Sequence, residues 1–123
     1  MTSEAREQRD QLRAAQLIKL GELSMSSERE GDVHSICLFG ELDLATAEAV
    51  ERELERVEAT DTAAIIVDLS GLEFMDSSGV RLMLIANARS RADANRLTLL
   101  RGPAAVQRVL ELSGVERLLP FAD

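Results

Sequence analysis

The chain has 123 residues, of which 46% are hydrophobic and 29% charged. This is enough for one globular domain with its own core and excludes a disordered chain. Its 22 acidic residues outnumber 14 basic ones, and without Trp or Tyr this argues against a nucleic-acid-binding surface. One Cys and one His exclude an intramolecular disulfide and a Cys/His zinc site. No apolar run approaches a membrane span and no signal peptide is evident, so we predict a cytoplasmic domain.

Residues 1–21 are predicted to form an N-terminal helical extension. Ser3 is suited to cap this helix, and no Gly or Pro occurs before Gly21. The apolar residues lie mostly in its second half and follow no heptad: Leu12, Ala15, Leu17, Ile18 and Leu20. The pattern leaves two interpretations open, a solvated helix that docks weakly and a helix through which the chain forms a homodimer.

Residues 22–123 are predicted to form the main domain, which begins with a pair of antiparallel strands. Apolar and polar residues alternate from Leu23 to Gly40, with a turn signal at Gly31-Asp32. We interpret His34 as a residue on a strand face and Cys37 as a core residue.

The rest of the main domain alternates between helices and strands. Thr46 is predicted to cap a helix that ends near residue 58, and the apolar run at 63–69 predicts a strand covered on both faces. A helix at 77–92, a strand at 97–100, a helix at 104–112 closed by Gly114, and a last strand at 118–121 follow. Asn95 is expected to supply a left-handed residue before the 97–100 strand. The order predicts an α/β domain with a mixed sheet and helices packed on it.

The segment Asp76-Ser77-Ser78-Gly79 follows the buried strand and begins a helix. Asp76 is a good N-cap, and first-turn N–H groups without partners favour an anion at such an end. A phosphate on Ser77 would add about −1.5 to −2 charges where the helix tolerates them. The same tetrapeptide is also an ordinary helix start, so the local residues leave a covalent switch and a simple cap open.

A serine hydrolase is disfavoured by the same residues. The Gly-x-Ser-x-Gly elbow is absent, and the only His lies in the first strand pair. Without an oriented base, Ser77 is better interpreted as a substrate for another enzyme than as a nucleophile. We therefore predict no enzymatic activity and no cofactor for this chain.

The chain from about Leu23 to Phe121 resembles the anti-sigma factor antagonists, which are bacterial STAS domains. The matching segments are Gly40-Glu41-Leu42-Asp43 with Thr46, Val67-Asp68-Leu69, Phe74-Met75-Asp76-Ser77-Ser78-Gly79, and Val106 to Val115. The stretch that resembles the family covers about four-fifths of the chain, and these segments follow the family's order. The N-terminal helix has no counterpart in the family pattern.

The resemblance implies a STAS-like mixed sheet and a phospho-switch. Unphosphorylated protein would bind an anti-sigma factor, which is also a serine kinase, and release the sigma factor. That kinase would phosphorylate Ser77, and a PP2C-type phosphatase would remove the phosphate. The residues expected to form the partner surface are Asp43, Thr46, Asp76, Ser78, Gly79, Val80 and Arg81.

Two patterns outside the motifs also bear on a partner surface. The helix after Ser77 is apolar nearly all round, so it is either fully buried or has a face for a partner, and we favour the partner. Residues 41–61 hold eight acids and two arginines, whereas residues 81–117 hold seven arginines and three acids. This asymmetry either orients a partner or marks two solvated helix faces.

The residues leave one alternative function open. The chain could be a scaffold subunit that never switches, in a stress-signalling or lipid-transport complex, with Ser77 serving only the helix start. Uptake of phosphate by Ser77 from a cognate kinase distinguishes the two.

Overall fold

The computed structural model describes residues 22–122 and, through their backbone, residues 17–20. Five strands form one sheet in the order β1-β2-β3-β4-β5. They span Leu17–Leu20 (β1), Leu23–Glu30 (β2), Val33–Leu42 (β3), Ala64–Met75 (β4) and Leu97–Leu100 (β5). Helices span Ala47–Glu58 (α1), Ser77–Ala92 (α2) and Ala104–Leu112 (α3), and a 3₁₀ helix spans Glu116–Leu118. The predicted mixed α/β architecture is confirmed for residues 22–122.

The sheet is mixed because its first three strands are antiparallel and its last three parallel. β1, β2 and β3 pair through short connections, and Gly31 in the β2–β3 turn has a φ of 63°. β3, β4 and β5 run parallel, with α1 and α2 as the crossovers between them. The strand boundaries extend past the predicted ones, since β3 continues to Leu42 and β4 to Met75. Within the described part of the chain, none of the helices combines the length and apolarity needed to cross a membrane.

The predicted N-terminal helix is wrong at its C-terminal end. Leu17–Leu20 form β1, in which Ile18 pairs with Met25 and Leu20 with Leu23. Pairing with β2 satisfies backbone groups that β2 would otherwise expose at the edge of the sheet. The rest of the predicted helix, residues 1–16, lies outside the described residues, so the domain division at residue 21 and the homodimer stay predictions.

The core lies between the three helices and one face of the sheet. On β3 the buried side chains are His34, Ile36 and Leu38, whereas Cys37 is half-buried and Phe39 exposed on the opposite face. The assignment of Cys37 to the core is therefore wrong. Successive residues of a strand face opposite sides of the sheet. Because Ile36 and Leu38 face the core, Cys37 between them faces the other side.

Arg96, which the sequence did not single out, connects the end of α1 to the start of β5. Its guanidinium donates to the carbonyl oxygens of Glu58, Thr60 and Thr62 at 2.7, 3.2 and 2.9 Å. These carbonyls follow or close α1, where helix ends leave acceptors without partners. The preceding turn contains left-handed residues at Ala94 and Asn95, which confirms the expectation for Asn95.

The predicted last strand is also corrected. Glu116–Leu118 form a 3₁₀ helix, and only Phe121 makes a bridge to Leu99. The Leu99 N–H donates to the Pro120 carbonyl at 2.9 Å, and the Ala122 N–H donates to the Leu99 carbonyl at 3.0 Å. Pro120 has no N–H to give to a ladder, so the segment covers the edge of β5 without becoming a strand.

A polar cluster is buried between β2, β3 and α1. His34, 6% exposed, places Nε2 2.7 Å from the Ser27 hydroxyl. Among the described residues, its Nδ1 has no hydrogen-bond partner. Arg56 donates to both carboxylate oxygens of Glu53 at 2.9 and 2.6 Å and holds the Glu53 pKa below its ordinary value. Burial, and then the charges of Arg56 and Arg29, lower the pKa of His34 against the opposing effect of Glu53.

This cluster predicts a loss of stability in mild acid. Because the folded chain holds the pKa of His34 below about 6.5, the unfolded chain binds more protons just below that pH. We expect the unfolding free energy to fall by up to about 1.4 kcal/mol per pH unit in that window. Urea titrations from about pH 7.5 down to 5 measure this slope, and His34→Gln should flatten it. Equal slopes for the two proteins would contradict the assignment, because His34 is the only histidine.

Candidate functional site: the start of helix α2 and the Asp43 loop

The two predicted motifs meet at one edge of the sheet. β3 and β4 are parallel neighbours whose last paired residues are Leu42 and Met75. Asp43 and Asp76 come directly after these residues, and the Asp76 N–H donates to the Leu42 carbonyl at 3.1 Å. The carboxyl ends of parallel strands share an edge, which is where α/β proteins commonly build sites. The start of α2 and the Asp43 loop therefore form a single surface.

Asp76 is the N-cap of α2, as predicted. Its Oδ1 accepts from the Ser78 N–H at 2.8 Å, and its carbonyl accepts from the N–H groups of Gly79 and Val80 at 3.1 and 3.2 Å. Ser77 is exposed beside this cap. The expectation of free first-turn donors is corrected in part, because Asp76 already engages these three N–H groups and only the Ser77 N–H has no partner among residues 22–122. The Asp76 carboxylate itself occupies the position that favours an anion.

The Asp43 loop is held by hydrogen bonds of its own. Asp43 Oδ1 accepts from the N–H groups of Ala45 and Thr46 at 3.0 and 3.2 Å. Thr46 Oγ1 accepts from the Asp43 N–H at 3.0 Å and donates to the Glu41 carbonyl at 2.9 Å. Thr46 is the N-cap residue of α1, as predicted, but its hydroxyl makes no cap hydrogen bond, so the predicted capping by its side chain is wrong. The Asp43 carboxylate instead binds the N–H groups just before α1.

Three of the residues expected to contact a partner are buried. Thr46 is 2% exposed, and Gly79 and Val80 lie against the core. A Cβ on Gly79 would come within 2.6 Å of Met75 Cγ, so this glycine lets α2 approach β4 closely. These three residues therefore offer a partner little surface in this conformation, and their part in partner binding stays a prediction. Ser77 and Arg81 are exposed, and Asp43, Asp76 and Ser78 are half-buried at the surface.

Two exposed apolar side chains near this surface were missed from the sequence. Leu44, at the tip of the Asp43 loop, is 82% exposed, and Phe74, two residues before Asp76, is 47% exposed. Because burial of such a leucine would remove apolar surface from water, Leu44 is a candidate contact for a protein partner. The signal available in the sequence was an apolar residue between Asp43 and the small residues that start α1.

Helix α2 is largely buried, with one exposed side. Val80, Leu82, Met83 and Ala86 enter the core, which favours the buried alternative for most of the helix. The exposed side holds Ser77, Arg81, Leu84 and Ala88, spaced at helical intervals. One face of α2 thus presents the phosphorylation candidate, a cation and an exposed leucine.

Some of the charged residues behind the predicted charge asymmetry pair with each other inside the domain and not with a partner. Arg89 of α2 contacts Glu51 and Glu58 of α1 at 3.3 and 3.1 Å. Arg52 and Arg56 pair with acids within α1. Such pairs at the surface contribute little individually, and only those of Arg89 connect the two helices. Arg81 makes no ion pair or hydrogen bond with any residue between 22 and 122.

Comparison with known proteins agrees with this arrangement. Residues 25–120 match the family described as "Mlab, STAS domain". The Anti-sigma F factor antagonist of Lysinibacillus sphaericus is 37% identical over 81 residues, which cover 65% of this chain and 69% of that protein. The structure of the anti-sigma factor antagonist SpoIIAA in its unphosphorylated form matches with a TM-score of 0.67 at 31% identity, covering 80% of this chain and 88% of that one. The phosphorylated form of SpoIIAA from Bacillus matches with a TM-score of 0.61 at 30% identity, covering 80% and 91%.

The chain belongs to the STAS domain family. The match covers more than three-quarters of the residues and includes both motifs that form the surface at Ser77 and Asp43. The predicted fold class is confirmed by the family match and by these neighbours.

Proposed function

We propose that this chain is an anti-sigma factor antagonist that acts as a non-enzymatic phospho-switch in the cytoplasm. Unphosphorylated, it binds an anti-sigma factor through the surface formed by the Asp43 loop and the start of α2, and the sigma factor is released. The observation that carries the proposal is the position of Ser77, which is exposed at the start of α2, at the edge of the sheet where the Asp76 N–H donates to the Leu42 carbonyl before the Asp43 loop. Named relatives of this kind, and SpoIIAA structures in both phosphorylation states, support it.

Phosphorylation of Ser77 is the proposed off-step. An anti-sigma factor that is also a serine kinase transfers the γ-phosphoryl group of ATP to Ser77 Oγ, which loses its proton, and ADP leaves. A PP2C-type phosphatase hydrolyses the phosphate ester and restores the hydroxyl. The phosphate adds about −1.5 to −2 charges beside the carboxylates of Asp43 and Asp76 and makes an apolar contact costly to form.

Incubation with the cognate kinase and ATP should place phosphate on Ser77 and not on its neighbours. Ser77 is exposed, Ser78 is half-buried with its N–H bound to Asp76, and Thr46 is buried under the Asp43 loop. Mass spectrometry of proteolytic fragments locates the phosphate, with Ser77→Ala as the control that should take up none. Phosphate mainly on Ser78 or Thr46 would contradict the assignment, and uptake at none of the three would favour the scaffold alternative.

Truncation of Leu44 should weaken binding to the anti-sigma factor without unfolding the chain. Burial of an exposed leucine in an interface removes apolar surface from water, which is worth about 1.5 kcal/mol or more, so we expect Leu44→Ala to lower the affinity about tenfold. Leu112→Ala is the matched control, because Leu112 is 73% exposed at the end of α3. Titration calorimetry with each variant measures the affinity. Equal losses of affinity for the two variants would contradict a specific role of Leu44 in the interface.

A further inference from the structure

We propose that Arg81 binds the phosphate of phosphorylated Ser77, so that phosphorylation withdraws a cation from the partner surface as well as adding an anion. The inference rests on the proposed phosphorylation of Ser77 and concerns what the phosphate does once it is present. It comes from the hydrogen bonds at the start of α2, which leave the phosphate few other partners.

The backbone at the start of α2 has little to offer a phosphate. The N–H groups of Ser78, Gly79 and Val80 are all bound by Asp76, which leaves the Ser77 N–H as the one first-turn donor without a partner among residues 22–122. The Asp76 carboxylate is itself negative, and the Asp43 loop brings a second carboxylate to the same surface. A phosphate on Ser77 would therefore be the third anion here, and a cation close by would stabilise it.

Arg81 is the arginine of α2 that is placed to supply that cation. It lies four residues after Ser77, and side chains at this spacing are neighbours on one helix face. Its side chain is exposed and has no partner among residues 22–122. Arg89 is already held by Glu51 and Glu58, and Arg91 lies about 21 Å along the helix from Ser77. A guanidinium forms two parallel hydrogen bonds with phosphate oxygens, which makes the pair stronger than a point-charge contact.

The pairing changes what a partner meets on α2. Without phosphate, Arg81 is exposed on the same helix face as Ser77 and is open to an acidic group of the anti-sigma factor. With phosphate, the same guanidinium is bound within the chain, and the acidic group would face an anion instead. The partner is therefore expected to place a carboxylate opposite Arg81.

The test uses protein in which phosphoserine is genetically encoded at position 77, so that no kinase is needed. ³¹P NMR titration gives the second pKa of the phosphate, ordinarily about 6. We expect Arg81→Gln to raise this pKa by about half a unit, because the cation that favours the dianion is removed. Arg91→Gln is the matched control and should leave it unchanged, and Arg81→Lys should keep part of the effect. A shift below about 0.1 unit for Arg81→Gln, or an equal shift for Arg91→Gln, would overturn the proposal.

A thermal double-mutant cycle gives an independent readout. Arg81→Gln should leave the Tm of unmodified protein unchanged and lower that of the phosphoserine protein by about 2 °C. Equal changes in both proteins would show that no pair forms. Because phosphoserine is inserted during synthesis, both results stand whether or not a kinase acts on Ser77, and phosphate mapping with the kinase tests the proposed function separately.

Discussion

Phosphate on Ser77 is expected to lower the affinity for the anti-sigma factor more than tenfold while the fold persists. A tenfold loss requires only about 1.4 kcal/mol, and a dianion beside Asp43 and Asp76 in an apolar interface supplies at least that much. The side chain of Ser77 is exposed, so the modification displaces no core contact. We expect the unfolding free energy to change by less than about 1 kcal/mol.

Titrations with the anti-sigma factor compare wild type, Ser77→Asp, Ser77→Ala and the phosphoserine protein. Ser77→Ala should bind as wild type does, and Ser77→Asp should show part of the loss, because aspartate carries less charge than phosphate. Urea unfolding of the same four proteins supplies the stability half of the prediction. A phosphoserine protein that unfolds but retains affinity when folded would contradict the proposed switch.

Replacement of Gly40 by Ala is expected to be the most destabilising small change near the site. Gly40 begins the Gly-Glu-Leu-Asp motif and has a φ of 96°. A Cβ there would lie 2.0 Å from the Glu22 carbonyl oxygen, which accepts a hydrogen bond from the Glu41 N–H. Strain of the left-handed backbone and displacement of the strand together should cost about 3 kcal/mol or more.

Gly31→Ala separates the two causes. Gly31 also has a positive φ, 63°, but nothing lies within 4 Å of a Cβ built there. We therefore expect a loss of only about 1 kcal/mol for this control, which is the cost of the backbone conformation alone. Urea titrations measure both variants. Similar losses at the two positions would show that the Glu22 carbonyl does not constrain Gly40.

The local elements of the domain could be predicted where one local signal determined the structure. Asp76 caps α2 because a short acidic side chain reaches the second N–H of a helix from the N-cap position. Gly114 closes α3 with a φ of 75°, as a glycine after a helix commonly does. The surface at Ser77 was also foreseen, since Asp-Ser-Ser-Gly and Gly-Glu-Leu-Asp identified its two segments through the family resemblance.

Errors arose where a pattern allowed two outcomes. Both faces of β3 carry residues able to enter a core, and the packing of the helices on Ile36 and Leu38 left Cys37 at the other face. The segment Leu17–Leu20 suits a helix by composition, but the exposed edge of β2 offers it strand pairing. Thr46 is a residue type favoured at the start of a helix, yet its hydroxyl binds the backbone of the Asp43 loop and not that of the helix.

The sequence by itself determined the α/β class and the helix that starts at Ser77, because these depend on the pattern of residues along the chain, and it singled out Ser77 as the candidate serine through the family resemblance. Only the tertiary structure decided that Gly79 and Val80 are covered, that Leu44 is exposed, and that Asp76 already engages the first-turn N–H groups beside Ser77. The tertiary structure also brings Asp43 and Asp76 to the same edge of the sheet, although they are 33 positions apart in the chain. The physical reason is that burial and hydrogen-bond partners depend on which strands and helices pack together, and the parallel pairing of β3 with β4 brings these residues to one edge.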